Sequence, residues 1–492
     1  MILRSLYVLC MAACVTGMAC AAAPKPEANN NASGSPLPAA AVSPAPTPVG
    51  QIAKNAQPLT LPVLDAFFAD QSFSDVLRSR LQLTDEQVTK LRELAHGETA
   101  KLNEANAGQT EGETADARSA AQEKVSALIG PDKAAQLAAL VRERWNEASE
   151  PGTAAPTEKS AAPTTNPTTA EEFAALAPNT VPTDSRVVVN TPAFRMDVFE
   201  GGRLIKSYKV GIGYPQFPLP TALRKARTII FNPTWTPPDE PWVAKMKVTV
   251  GEKVEAGSSL NPLGPIKIPI GLPSLIHGGK SPAKIGTFAS HGCVGLTTPQ
   301  VQDFAKLLAQ LGGTRLTDTD LARYARDKTQ TKQIKLNKDV PVELRYETIV
   351  VEDGKLHIYR DVYDQDSNTE EELRAVLAVY GINLEDLKAQ EQAQVFDALS
   401  QMAGKSSKKI VRPASLATPS PSASASPAES PVAGKKAVAA KKTPIKKNVK
   451  EVVIEIAALK GKGYPAPVDL DTGTGRAPKK QVAATPKPSV QP

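Results

Sequence analysis

Cysteine is scarce in this chain of 492 residues, and where it is missing matters more than its number. Cys10, Cys14 and Cys20 crowd the first 20 residues, and Cys293 is the one thiol beyond them. Without a second downstream thiol, the rest of the chain cannot be held by an internal disulfide framework. Histidine is equally sparse, at four residues, and no Cys/His cluster has the spacing of a metal centre. Neither a phosphate-binding loop nor a dinucleotide fingerprint is present, so the sequence calls for no cofactor and no metal. Long apolar runs are lacking too. Leu6 to Val15 is too short for a membrane span of about 20 residues, and no later segment qualifies.

What is present begins with an export-type leader over residues 1–23. Arg4 gives the positive start, Leu6 to Val15 the apolar core, and Ala19 with Ala21 to Ala23 the small residues that follow. Cys20 is a candidate lipidation site, because the Asn-, Ala- and Pro-rich stretch after it resembles a lipoprotein tether. The mature chain is therefore expected outside the cytoplasm, in the periplasm or cell envelope, soluble or lipid-anchored at Cys20.

Composition divides the remainder. Residues 24–61 and 151–182 read as disordered linkers, and 403–492 as a Lys/Ala/Pro-rich, mostly disordered tail. Between them lies a helical region over 62–150. Thr84-Asp85-Glu86-Gln87 has the form of a capping box, with Val88, Leu91 and Leu94 on one face after it. Pro131 suits the first turn of a further helix. This region is read as a small bundle that spaces or docks the rest. From residue 183 the period changes. Phe194, Met196 and Val198 alternate with polar residues, Gly201-Gly202 marks a turn, and Leu204 to Gly213 returns as a partner strand. The region 183–366 is predicted to be mainly β, with a helical extension over 367–402.

Cys293 lies in Ser290-His291-Gly292-Cys293, and His277, in Ile276-His277-Gly278, precedes it by 16 positions (293 − 277). Two of the four histidines thus converge on the one downstream thiol. A thiolate is far more reactive than a thiol, and a nearby imidazole can take its proton, so the pattern points to a nucleophilic Cys with a His base. An unpaired thiol is also a liability in an oxidising compartment, which suggests that its chemistry is used.

These blocks resemble the L,D-transpeptidase catalytic domain (YkuD-type), a family of bacterial cell-wall enzymes. The Ser-His-Gly-Cys core, Ile276-His277-Gly278, Asn232-Pro233-Thr234-Trp235-Thr236-Pro237-Pro238 and Asn261-Pro262-Leu263-Gly264 occur in the family's order. So does the ending from Asp353-Gly354 to Asp361-Val362-Tyr363, and the likeness covers somewhat over a third of the chain. The resemblance implies a β-sandwich-like fold and attack of Cys293 on a peptidoglycan stem tetrapeptide. D-Ala leaves, and the acyl group passes to an amine in cross-linking, protein attachment or D-amino acid exchange. It assigns His277 as general base and proton donor. His291, Gly292 and Ser290 would order the site or its oxyanion-binding amides, Ser290 chiefly as a turn-stabilising hydroxyl. Two alternatives stay open: an L,D-carboxypeptidase or cross-link hydrolase on the same fold, and a non-catalytic wall-binding protein.

Some positions depart from the family pattern. Gly295 stands where many members carry Arg, Thr298 where they carry Asn, and Gly279 where they carry Thr. The donor and acceptor preferences are therefore left open. Trp235 and Trp242 are candidates to line a groove, whereas His96 and His357 read as surface residues. Between residues 401 and 450 the chain carries eleven Lys and Arg against one Glu, an excess of ten over a whole-chain net charge of +7. The positive charge is thus a tail property. For an exported chain its expected partners are anionic envelope polymers or lipid head groups rather than nucleic acid. Val452 to Ile456 alternates weakly, as a docking strand would.

Overall fold

Capping residues start the N-terminal helices where the sequence places them. The computed structural model describes residues 59–102, 113–146, 177–238, 243, 246–271, 273–404 and 449–474, all within the unit Pro48–Pro492. The leader with Cys20, Trp242 and most of the Lys-rich stretch lie outside the described residues. Helices α1 (Leu61–Phe68), α2 (Gln71–Leu81), α3 (Asp85–Thr99), α4 (Glu113–Ile129) and α5 (Pro131–Asn146) come first. Thr60 Oγ1 accepts from Val63 N at 3.3 Å and begins α1. Thr84 and Gln87 complete the reciprocal capping box of α3. Leu64, Phe73, Leu77, Leu91 and Leu137 are fully buried, each contributing on the order of 1.5–3 kcal/mol. Their core runs without a break into that of the β region, through Val189, Met196 and Ile229. The helices are fused to the sheet rather than spaced from it.

The β region builds an eight-stranded sheet in the order β3-β2-β1-β10-β5-β6-β7-β9. Its strands are β1 (Arg186–Asn190), β2 (Arg195–Glu200), β3 (Arg203–Lys209), β5 (Ala222–Phe231), β6 (Ile266–Pro269), β7 (Leu275–His277), β9 (Val294–Gly295) and β10 (Lys332–Arg345). A short parallel ladder joins β4 (Ile212–Gly213) to β8 (Phe288–Ser290). Gly211, two residues past edge strand β3, exchanges backbone bonds of 2.9 Å with Gly295 on the opposite edge strand. The sheet therefore curls until its two ends meet. Helices α6 (Thr298–Leu311) and α7 (Asp318–Arg326) lie between β9 and β10.

At three places the described elements run across the expected boundaries. β11 (Ile349–Glu352) and β12 (Lys355–Tyr359), assigned by sequence to the 183–366 domain, leave the main sheet. They pair with β13 (Glu451–Glu455), and α8 (Glu370–Val379) and α9 (Ala389–Met402) cover this three-stranded sheet with a core of its own. The mostly disordered tail expected over 403–492 is folded from 449 to 474. Ile454, Ile456 and Leu459 bury there, and an edge of β12 offers backbone partners. Beyond β13 the chain straps across the main sheet. Asp471 N donates to Ser207 O, and Lys209 N to Asp471 O, both at 2.9 Å, which covers the exposed edge of β3. Finally, the linker expected over 151–182 is already ordered at Asn179. Its buried amide bonds Ile349 O at 3.0 Å and Val351 N at 2.6 Å as an extra strand would.

The chain leaves the described fold after Gly404 and returns at Val449 beside the same residues. Asp361 N donates to Met402 O, and Arg360 N to Lys450 O, each at 2.9 Å.

Candidate functional site

Strand pairing brings the two sequence-predicted reactive residues to one face. β7 and β9 run parallel, with Ile276 opposite Val294 and His277 opposite Gly295. Ile276 and Val294 are fully buried in the core. Side chains alternate across a strand, so His277 and Cys293 leave on the other face. Both line a single cavity of about 590 Å³.

The turn carrying Cys293 is built from its own residues. Ser290 Oγ accepts from Cys293 N at 3.1 Å and donates to Cys293 O at 2.5 Å, closing the turn on itself. Gly292 has φ +77, which a side-chain-bearing residue rarely adopts. Gly213 of β4 approaches so closely that a Cβ there would meet Phe217 O at 2.1 Å. The His291 ring sits edge-on to Tyr214 at 5.2 Å and to Phe217 at 5.5 Å. Cys293 Sγ lies 3.8 Å from His291 O.

Charge in the cavity is one-sided. Among the described residues that line it there is no carboxylate, while Lys280 contributes an ammonium. Lys280 takes up the room that Gly295 leaves: a Cβ on Gly295 would come within 2.8 Å of Lys280 Cγ. Burial, and then the charge of Lys280, push both His277 and His291 down to about 3. The carbonyls of Gly278 and Leu263 pull His277 the other way. Its Nδ1 lies 2.8 Å from Gly278 O. A carbonyl only accepts, so Nδ1 carries the proton and Nε2 is the basic nitrogen. Both rings are neutral at pH 7.

This has a measurable consequence. Below the ordinary His value of 6.5 the unfolded chain binds protons that the folded chain refuses. Stability should therefore fall as pH drops from about 6.5 toward about 3. At pH 5 the loss should approach about 2 kcal/mol for His277 and less for the half-buried His291. His291→Phe, which keeps the ring packing, should lose less between pH 7.5 and pH 5 in urea titrations than the wild type. An equal loss in both would count against the shift at His291.

Of the other residues singled out by sequence, Trp235 lines the same cavity, and Thr298 opens α6 away from the cavity lining. His96 and His357, read as surface residues, both meet carboxylates. His96 lies 3.7 Å from the buried Asp65, and His357 lies 2.6 Å from Glu451, tying β12 to β13. Among the described residues no group of three His, Cys, Asp or Glu could hold a metal ion, and no helix is long and apolar enough to cross a membrane. Sequence reasoning passed over Lys280, Tyr214 and Phe217. Lys280 stood three residues after His277, but nothing local linked it to Gly295.

The curled β sheet thus presents one Cys and two His, Cys293, His277 and His291, to a single cavity. Residues 184–332 match the model of the L,D-transpeptidase catalytic domain family (YkuD). Solved structures of similar type include the catalytic domain of the E. faecium L,D-transpeptidase, at 16% identity and a TM-score of 0.21, covering 33% of this chain and 98% of that one. The L,D-transpeptidase of Mycobacterium smegmatis matches at 13% and 0.20, over 33% of this chain and 58% of that one. L,D-transpeptidase 1 of Mycobacterium tuberculosis matches at 14% and 0.17, over 33% and 60%. The isolated E. faecium domain apart, this chain spans about half to three fifths of the length of such neighbours. No curated protein matches the chain.

Proposed function

We propose that this chain is a peptidoglycan L,D-transpeptidase in which Cys293 is the nucleophile and His277 its base. The observation that carries this is the convergence of Cys293 and His277, from paired strands of a domain that matches that family's model, on one cavity. His277 Nε2 takes the thiol proton as Sγ attacks the carbonyl of the L-centre at the third residue of a stem tetrapeptide. The carbonyls of Gly278 and Leu263 favour the imidazolium so formed. Because the Cys293 amide is engaged by Ser290 Oγ, the Gly292 amide is the candidate oxyanion donor. The C–N bond to D-Ala breaks, the imidazolium protonates the departing amine, and a thioacyl-enzyme remains. An acceptor amine then attacks the thioester while His277 removes its proton, the C–S bond breaks to release the new amide, and the imidazolium returns the proton to the Cys293 thiolate. Lys280 makes the cavity attractive to the carboxylates of such a peptide. We place this activity in the cell envelope, after export through residues 1–23, with Cys20 as a lipid attachment point. The Lys-rich stretch between 405 and 448 would hold anionic polymers there.

Mass spectrometry of purified muropeptides incubated with the protein tests the reaction. New dimers or exchanged D-amino acids are the expected products. Stems that are only shortened would reassign the chain as a hydrolase of the same site, and binding without any product would leave a wall-binding protein.

A further inference from the structure

The cavity around Cys293 is not made by the family domain alone. Ala66 and Ala69 at the end of α1, and Leu102 just after α3, also line it, and all three lie far upstream of residue 184. The sequence of α1 explains how it can serve two masters. Leu61, Leu64, Phe67 and Phe68 are buried in the helical core, where Phe67 and Phe68 each pack on Phe73 at 5.4 Å. Ala66 and Ala69, three apart on another face, are half-buried and exposed. The large side chains turn away from the cavity, and the small ones face it.

Two buried hydroxyls fix this wall in place. Thr60 Oγ1 donates to Gln216 O at 2.6 Å, and Thr114 Oγ1 donates to Pro215 O at 2.7 Å. The carbonyls they hold belong to the turn whose ends, Tyr214 and Phe217, grip the His291 ring. The helical region is thus pinned to the turn beside the thiol, and α1 cannot shift without disturbing it.

We propose that α1 sets the bore of the cavity, with Ala66 and Ala69 as the specificity-determining positions against which the peptide arm of the substrate lies. The identity of that arm rests on the proposed transpeptidase function; the bore itself does not. It can be read with thiol reagents of graded size on the full chain, with Cys293→Ala used to subtract reaction at Cys10, Cys14 and Cys20. Ala69 is exposed, so Ala69→Trp adds bulk without entering the core. The variant should slow alkylation of Cys293 by fluorescein-maleimide tenfold or more and leave iodoacetamide within twofold. With stem tetrapeptide it should raise KM and leave kcat nearly unchanged. Equal slowing of both reagents would mean a distorted turn, and no slowing of either would mean an open cleft; each result overturns the proposal. A wild type that alkylates with the expected size dependence yet turns over no stem peptide would overturn the transpeptidase reading and leave the bore standing.

Discussion

Cys293→Ala should abolish covalent capture of an acyl donor. In intact-mass spectra the wild type is expected to gain the mass of a carbapenem or of a stem-peptide acyl group, and the variant to gain nothing. Turnover should fall by at least ~10³-fold, as when the nucleophile of a catalytic unit is removed. The expectation is this large because no neighbour can substitute. Ser290, whose hydroxyl closes the same turn, is bound at both its donor and acceptor positions to the Cys293 backbone. His291 is held between two aromatic rings. The change removes one sulfur from a half-buried position and leaves the Gly292 turn untouched, so the thermal midpoint should move little. An adduct retained in the variant would remove Cys293 from the chemistry altogether.

Arg195→Met should be the most destabilising single change away from the cavity. Arg195 Nε bonds Asp197 at 2.8 Å, Nη1 bonds Glu352, and Nη2 donates to Pro465 O at 3.2 Å, with the Tyr464 ring 5.5 Å from the guanidinium. These partners come from the main sheet, the three-stranded sheet and the strap, and both carboxylates are buried. Removing one member of a buried ionic cluster strands the others, at about 3–5 kcal/mol. Denaturant titration at pH 7 should show this loss. Burial already raises the Glu352 carboxyl, and Arg195 is the chief group opposing it. Without Arg195 the folded state binds a proton more readily than the unfolded state, so stability should recover as pH falls through the raised Glu352 value. A loss below about 1 kcal/mol, unchanged by pH, would mean that water replaces the guanidinium.

The parts of this fold legible in sequence are those decided within a few residues. The Thr84–Gln87 cap, the Pro131 start and the alternation through Met196 each depend on neighbours along the chain, and each appears where the pattern put it. The Ser-His-Gly-Cys turn is equally local, since Ser290 closes it alone. What escaped is decided by pairing across distance. β13 looked like a weak alternation because its partner, β12, lies almost a hundred residues earlier, across a stretch of Lys and Pro. Gly295 read as a missing side chain, whereas the structure fills its place with the stem of Lys280, three residues past the end of neighbouring strand β7. Ala66 carried no signal, because an alanine facing a cavity and one facing solvent look the same in sequence.

The return of the chain at Val449 beside the point where it left bears on what a single cut between the two points would do. Residues 405–448 carry ten Lys and Arg, the residue types that Lys- and Arg-directed proteases require. A cut there would not release the C-terminal piece, because β13 stays paired with β12 and the strap stays bonded to β3. Such a nicked protein would run as one species in its native state and as two only after denaturation, its assembly no longer dependent on a continuous backbone.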